Sequence, residues 1–243
     1  MIHRLDDKNI YVGNREITKV LLGDKELYNT VPVDLTRHVG DPEYVIDFTG
    51  GTIDYISKEG YSLDAFMTTP TEKPELTNEG LYFYEGRKLQ SYERHSPTSG
   101  MFEVTVSIDE GDYGGSLKAI MAISDDYYSN RKRAIGYRRN SIVFFSSYST
   151  TKIQSGNIES NDITIAFEWS IDSSSNNVLF VNGERIGNYY ISKESNINSI
   201  LYIGSSDRGN DGGTFILKNI KHYSTANKLT DEQVMESYLL QKN

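Results

Sequence analysis

Two stretches of this 243-residue chain carry an apolar side chain at every second position. They are MFEVTVSID (101–109) and ITIAFEWSI (163–171), and their recurring apolar residues are Phe102, Val104, Val106, Ile108, Ile163, Ile165, Phe167, Trp169 and Ile171. Because successive side chains of a strand point to opposite faces of a sheet, each stretch provides one apolar wall and one outward surface. The two stretches therefore predict antiparallel strands that are buried on one face.

Further short runs rich in Tyr, Phe and β-branched residues predict more strands. They lie at 44–48, 81–84, 117–123, 133–139, 141–147, 178–181, 188–191, 200–204 and 214–223. Turn signals such as Asn182-Gly183 and Gly212-Gly213 separate the runs. That many strands at this spacing predict a sandwich or a barrel. Since strands and helices do not alternate, a parallel-sheet nucleotide fold is disfavoured.

One helix is predicted, in KLTDEQVMESYLLQ near the end of the sequence. Thr230 can cap its first turn while the side chain of Gln233 reaches back, and Leu229 and Val234 are spaced as a hydrophobic staple. An apolar stripe is expected from two i,i+4 pairs, Val234 with Tyr238 and Met235 with Leu239. We expect this short helix to lie against the sheet.

The opening stretch IYVGNREITKVLLGDKELY (10–28) contains two similar turn signals, Gly13-Asn14 and Gly23-Asp24. Each is flanked by apolar residues and predicts a small hairpin. We assign residues 1–30 to an N-terminal hairpin module, 31–42 to a linker with two prolines, and 43–243 to the main domain. A module this small cannot bury enough apolar surface alone, so we expect it to pack on the main domain or on another protein.

Charge and composition exclude several classes of function. The 25 basic and 34 acidic residues give a net charge of −9, which argues against nucleic-acid binding. The first residues are charged where a signal peptide needs an apolar run, and no stretch approaches the ~18 apolar residues of a membrane span. We therefore expect no membrane partner. Without cysteine, disulfides and thiolate chemistry are excluded.

A basic run departs from the acidic average of the chain. Its members are Arg131, Lys132, Arg133, Arg138 and Arg139, without an acidic neighbour between 131 and 139. One interpretation is a solvated hairpin. The other is a local site for an anionic group, such as a phosphate-bearing glycan of a cell wall or an acidic patch of a neighbouring subunit.

Three longer segments resemble the laminin-G/concanavalin A-like family. They are VIDFTGG (45–51), ITIAFEWSIDSSSNNVLFVNGERIGNY (163–189) and ILYIGSSDRGNDGGTFILKNIKHYSTANKLTDEQVMESY (200–238). The resemblance implies a concanavalin A-like jelly-roll sandwich with a short C-terminal helix. The opening hairpins separately resemble N-terminal modules of tail and baseplate proteins of bacteriophages.

Together the two resemblances imply a bacteriophage virion protein, made in the host cytoplasm and placed in the tail or baseplate. Its hairpins would bind other virion proteins, and its lectin-like domain would contact a saccharide of the host surface. We also expect a homo-oligomer. No heptad repeat specifies a coiled coil, so the assembly would have to use sheet or loop surfaces.

Catalysis is not expected from the residue spacing. Glycoside hydrolases of this fold place three carboxylates in an E-x-D-x-x-E run, whereas Glu168 and Asp172 are the nearest approach here. The four histidines share no spacing that requires a partner, and surface or satisfied positions are expected for them. We therefore expect no enzyme. Two alternatives stay open: a carbohydrate-active enzyme or its accessory binding module, and a purely architectural virion protein.

Two loops combine side chains suited to sugar binding, which uses aromatic faces beside planar polar groups. The candidate ligand-binding residues are Tyr127, Tyr128, Arg131, Arg133, Arg138, Asp207, Arg208, Asn210 and Asp211. Calcium at Asp207, Asn210 and Asp211, or at Asp125 and Asp126, is an alternative that the resemblance suggests. Ordinary polar turns explain both clusters equally well, so no cofactor is expected.

Overall fold

Twenty β-strands and one α-helix form the part of the chain that the computed structural model describes. In chain order they are β1 (Ile2–Arg4), β2 (Ile10–Val12), β3 (Arg15–Ile17), β4 (Lys19–Leu22), β5 (Lys25–Asn29), β6 (Tyr44–Asp47), β7 (Asp54–Ser57), β8 (Glu75–Leu76), β9 (Leu81–Phe83), β10 (Leu89–Gln90), β11 (Ser99–Ile108), β12 (Lys118–Asp125), β13 (Arg133–Arg138), β14 (Ser141–Ser146), β15 (Thr150–Gln154), β16 (Asp162–Ser170), β17 (Ser175–Val181), β18 (Glu184–Ile191), β19 (Ser199–Ile203), β20 (Phe215–Tyr223) and α1 (Asp231–Lys242). The described residues are 2–4, 10–12, 15–17, 19–22, 25–29, 38–57, 74–84, 87–90, 99–108, 116–125, 133–146, 150–158, 162–170, 175–191, 199–204 and 212–242.

The N-terminal strands form the two predicted hairpins. Strands β2 and β3 pair antiparallel with Val12 opposite Arg15, and β4 and β5 pair with Leu22 opposite Lys25. The predicted turn residues 13–14 and 23–24 lie outside the described residues. Strand β1, which no sequence signal predicts, pairs with β2 and completes a three-stranded sheet.

Two antiparallel sheets form the sandwich. The nine-stranded sheet runs β18-β17-β16-β11-β20-β6-β7, with β9 pairing to β20 and β8 to β9. The six-stranded sheet runs β10-β19-β12-β13-β14-β15. All of these pairs are antiparallel, so the prediction of an all-β sandwich with a short C-terminal helix is confirmed.

The core lies between the two sheets and is built by the predicted alternation. Strand β11 is central in the nine-stranded sheet, and its Phe102 and Val104 lie opposite Phe167 and Ile165 of β16. All the inward residues predicted on these two strands that the structure describes are buried in one cluster with residues of the six-stranded sheet. Apolar burial at every second position is therefore what joins the sheets.

Each predicted strand is present, and its bounds differ from the prediction by a few residues. Strands β7, β8, β10 and β15 have no sequence prediction. They are short and lie at or beside sheet edges, and β15 has the sequence TTKIQ with a single apolar residue. An edge strand that buries little apolar surface has no need of alternation, so periodicity does not detect it.

Helix α1 begins with the predicted capping box. The amide of Thr230 donates to Gln233 Oε1 at 3.0 Å, and the amide of Gln233 donates to Thr230 Oγ1 at 3.3 Å. Leu229 and Val234 are buried together against the outer face of the nine-stranded sheet. No helix among the described residues is long and apolar enough to cross a membrane.

The predicted apolar stripe of α1 is present in part: Val234 is buried, Met235 and Tyr238 are half-buried, and only Leu239 is exposed. Val234 and Ser237 are the buried residues of the helix, whereas Leu239 is 50% exposed and Leu240 is 51% exposed. The helix therefore turns a partly polar face to the sheet.

A buried ion pair explains that orientation. Glu103 and Lys221 lie side by side on the outer face of the nine-stranded sheet, and both are buried, with 2.5 Å between Nζ and Oε1. Ser237 Oγ and Gln241 Nε2 of α1 donate to the same Oε1 at 2.8 Å and 2.6 Å. Because a buried carboxylate needs hydrogen-bond donors, the polar side of the helix lies over it.

The structure predicts a large cost for removing one member of the pair. We expect Glu103→Ala to lower the free energy of unfolding by about 3–5 kcal/mol, because the Lys221 ammonium would stay buried without its partner. The double variant Glu103→Leu with Lys221→Met should recover most of the loss. Urea unfolding of the full chain measures both values, and a loss below about 1 kcal/mol for Glu103→Ala would contradict the assignment.

Candidate functional site

Two tyrosines and one arginine form a stack at one end of the nine-stranded sheet. The rings of Tyr82 and Tyr84 stack with 5.3 Å between their centroids and 30° between their planes. The guanidinium carbon of Arg87 lies 3.7 Å from the centroid of Tyr84. All three residues are partly exposed. We call these three residues the aromatic rim.

The fold of β9 presents the rim outward. Leu81 and Phe83 are buried, and Phe83 stacks on Phe215 of β20 at 5.0 Å, so alternation directs Tyr82 to the outer face. The turn before β9 is fixed by Thr77, whose hydroxyl donates to the carbonyl of Gly80 at 2.8 Å. The rim therefore stands on a strand that the core and a turn both fix in place.

The rim adjoins the first end of segment 205–211. The amide of Gly204 donates to the carbonyl of Ile120 at 2.8 Å. The φ of Gly204 is +92°, and a Cβ there would lie 2.1 Å from Phe83 and 2.6 Å from the carbonyl oxygen of Arg87. Only glycine allows the backbone to pass so close to β9 and to the rim.

The second end of segment 205–211 is fixed to the six-stranded sheet. Lys118 Nζ donates to the carbonyl of Gly212 at 2.9 Å, and Tyr137 Oη donates to the carbonyl of Thr214 at 3.3 Å. A Cβ at Gly213 would lie 2.2 Å from Tyr137 Oη. Both ends of the segment are thus attached to well-packed strands, and the first end lies beside the rim.

The side chains of the rim are of the kinds that contact sugars in proteins. Aromatic rings stack on the C–H faces of a sugar, and an arginine already stacked on a ring presents its N–H groups to hydroxyls at a reduced entropy cost. Among the described residues, no group of three or more His, Asp or Glu side chains could hold a metal ion. Of the predicted calcium ligands only Asp125 is described, at the end of β12, and the others lie outside the described residues.

Most of the predicted ligand-binding residues also lie outside the described residues. These are Tyr127, Tyr128, Arg131, Asp207, Arg208, Asn210 and Asp211. A ligand role for them stays a prediction. Segment 205–211 begins beside the rim, since Gly204 is its preceding residue. The rim itself has no counterpart among the predicted site residues, and its only sequence signal is the aromatic density of LYFYEGRK (81–88).

Three arginines of the basic run are described, and they occupy different settings: Arg133 and Arg138 lie on β13, and Arg139 is exposed in the turn that follows it. Arg133 is only 2% exposed, and its guanidinium donates to the carbonyl of Ser170 at 2.5 Å. Arg138 is partly exposed and donates to Gln154 Oε1 at 3.3 Å. Because Arg133 and Arg138 are five positions apart on one strand, they are separated by about 17 Å and occupy opposite faces. Both interpretations of the basic run, the solvated hairpin and the anion site, expect accessible side chains, whereas Arg133 is buried.

The two predicted loops adjoin opposite ends of the sandwich. Segment 126–132 is flanked by Arg133, which contacts Ser170 at the end of β16. Segment 205–211 is flanked by Gly212, which lies beside Lys118 at the start of β12. The residues predicted on these two loops therefore represent two separate candidate surfaces.

His222 differs from the expectation of a surface or satisfied histidine. It is 7% exposed on the inner face of β20, and Nε2 has no hydrogen-bond partner among the described residues. Burial lowers its pKa to about 4, against smaller opposing effects of a backbone hydrogen bond with Ser99 and the charge of Glu43. The imidazole is therefore neutral at pH 7.

The sandwich resembles solved structures at low sequence identity. A Trypanosoma rangeli sialidase in complex with sialic acid matches with a TM-score of 0.59 and 11% identity, over 82% of this chain and 33% of the sialidase chain. The same sialidase with 2,3-difluorosialic acid, a covalent intermediate, matches with a TM-score of 0.59 and 12% identity, over 93% and 36%. The botulinum neurotoxin type G receptor binding domain matches with a TM-score of 0.54 and 16% identity, over 83% of this chain and 51% of the toxin chain.

These likenesses support an all-β sandwich fold. No protein-family model matches the chain, and no curated protein matches its sequence. The chain spans about a third of the sialidase chains and half of the toxin domain. Fold likeness at this identity carries no ligand or activity to this chain.

The comparisons overturn the expectation that the chain is not an enzyme. The matched chains include sialidases, so the fold occurs in chains with catalytic activity. The expectation depended on the spacing of carboxylates and of histidines along the sequence, which does not test for residues that the fold brings together from distant positions. Glu168 does lie on the outer face of the sheet, where its carboxylate pairs with Lys228 at 3.2 Å. This argues against Glu168 as a catalytic carboxylate but does not exclude catalysis by other residues.

The close approach of the Gly204 backbone to β9 and to the rim can be tested by substitution. We expect Gly204→Ala to lower the free energy of unfolding by about 2 kcal/mol or more, because the new methyl would meet Phe83 and the carbonyl of Arg87 at a positive φ. Gly156→Ala is the matched control, since a Cβ there meets nothing within 4 Å. Urea unfolding compares the two, and equal midpoints would contradict the close approach of Gly204 to β9.

Proposed function

We propose that this chain is a saccharide-binding protein of the lectin-like β-sandwich type, with the aromatic rim as its ligand surface. The observation that carries the proposal is the Tyr82–Tyr84–Arg87 stack, partly exposed beside the first end of segment 205–211. The four polar residues predicted on that segment would supply further hydrogen bonds to hydroxyls of the ligand.

The neighbouring structures suggest which sugars to examine first. One matched sialidase is in complex with sialic acid, and another match is a receptor binding domain. Sialic acid carries a carboxylate, which the guanidinium of Arg87 could pair with in a bidentate manner. Acidic and neutral sugars are therefore compared directly in the test below.

We further propose that the protein belongs to a bacteriophage tail or baseplate. The support is the opening pair of hairpins, each formed by strands a few residues long. Hairpins this short need a partner surface for stability, which neighbouring virion proteins or further copies of this chain would provide. The sandwich would then display the rim toward the host surface.

A second candidate function is a carbohydrate-active enzyme, or a binding module that serves one. The observation that favours it is the set of sialidase neighbours. The two candidates differ in one measurable respect, because an enzyme releases free sugar from a bound glycan and a binding protein does not.

The binding proposal is tested with the full chain on a glycan array that includes sialic acid-terminated and neutral oligosaccharides. We expect Tyr84→Ala and Arg87→Ala each to weaken binding of the best glycan by roughly tenfold, the loss of one stacked or charge-assisted contact. Tyr190→Ala is the control, since Tyr190 is 55% exposed on β18 at the far edge of the same sheet.

Each outcome has a defined meaning. Equal binding losses in all three variants would contradict the rim as the binding site. No binding by the wild-type chain would contradict the saccharide-binding proposal and would favour the architectural alternative. Release of free sialic acid or of reducing ends during incubation with the bound glycan would identify the enzyme.

A further inference from the structure

Residues 38–44, which we call the joining segment, connect the N-terminal strands to the sandwich and pack on its C-terminal part. Val39 is buried in a cluster with Tyr223 and Leu229. Tyr223 Oη donates to the carbonyl of Val39 at 3.2 Å. Gly40 has a φ of +74°, and a Cβ there would lie 2.6 Å from Leu229. The joining segment includes residues 38–42 of the predicted linker 31–42, and here Val39 and Gly40 lie close to Tyr223 of β20 and to Leu229, two residues before α1.

His222 provides the next two contacts of the joining segment. Its carbonyl accepts a hydrogen bond from the amide of Glu43 at 2.7 Å. Its ring stacks on Tyr44 with 5.1 Å between centroids and 26° between planes. The opposite side of the ring meets Phe102 at 4.8 Å. The imidazole thus lies between the joining segment and the centre of the core.

The end of the imidazole lies over a glycine. A Cβ at Gly100 would be 2.7 Å from Nε2 of His222, so the ring occupies space that any other residue at position 100 would fill. No described residue accepts or donates a hydrogen bond at this nitrogen. A proton bound at Nε2 would therefore enter an apolar surrounding without an acceptor, which is costly.

The charged and titratable groups around His222 do little to offset this cost. On the elements packed against it they are His38, Asp41, Glu43 and Tyr44 of the joining segment, Glu103 and Lys221 on the outer sheet face, Tyr223, and Arg133 of the six-stranded sheet. Glu43 is the carboxylate whose charge favours the imidazolium, and its Oε1 accepts from Asn227 Nδ2 at 3.5 Å. Its effect is smaller than that of burial.

We propose that His222 is an acid-sensitive contact which keeps the joining segment on the sandwich at neutral pH and releases it when the imidazole binds a proton. The direction follows from linkage. The neutral imidazole stabilises the docked segment above the ordinary histidine pKa of about 6.5, and this stabilisation is lost progressively as the pH falls toward 4. Release would free the N-terminal hairpins to reorient relative to the sandwich in an acidic compartment.

The test is hydrogen exchange of the full chain at pH 6.5 and pH 4.5, with protection factors corrected for the intrinsic exchange rate. In the wild-type protein we expect the protection factor of the Glu43 amide, which binds His222 O, to fall by about tenfold or more between the two conditions. In His222→Phe, which keeps a ring over Gly100 but cannot bind a proton, that protection factor should stay constant.

His38→Gln is the matched control, because it removes the titratable histidine of the joining segment itself and should leave the wild-type response unchanged. The proposal is overturned if His222→Phe loses protection like the wild type, or if the wild type loses none. Should His222→Phe fail to fold, an NMR titration of His222 in the wild-type chain decides. Protonation without loss of protection at Glu43 would also overturn the proposal.

Discussion

The whole structure depends on the burial of apolar side chains between two sheets. Phe102 on β11 and Phe167 and Trp169 on β16 lie in contact there, with Trp169 edge-on to Phe102 at 4.8 Å between centroids. Each ring removed from water contributes on the order of 2 kcal/mol or more. These two strands are central in the nine-stranded sheet, where β11 pairs with β16 and β20, and β16 also pairs with β17.

The outer face of the same sheet follows a different rule. There a buried carboxylate and ammonium, Glu103 and Lys221, determine how α1 lies, and Ser237 and Gln241 donate two further hydrogen bonds to Glu103 Oε1. A buried pair of this kind adds little net stability compared with apolar residues, but it favours one arrangement of the helix over others. The helix is thus oriented by polar contacts and kept in place by Leu229 and Val234.

Sequence periodicity predicted the part of the fold that local pattern controls. The alternation around Phe102 and the Thr230 capping box were both readable, because each depends on residues close in sequence. The burial of Glu103 was not readable, since its partner is 118 positions away. The rim was missed for the same reason. Tyr84 and Arg87 are brought to their positions by the pairing of β9 with β20, and nothing in the local sequence sets these two residues apart from the other tyrosines and arginines.

The direction of β20 has a mechanical consequence. Its first residue, Phe215, stacks on Phe83, which lies between the rim tyrosines in sequence. Its penultimate residue, His222, lies about 23 Å away along the strand and contacts the joining segment. A tensile force between an object at the rim and an anchor at the N-terminal hairpins would run parallel to β20. Its hydrogen bonds to β11, β6 and β9 would then be loaded in shear, all at once and not one after another. A sandwich connected in this way resists extension far better than one that is unzipped from an edge.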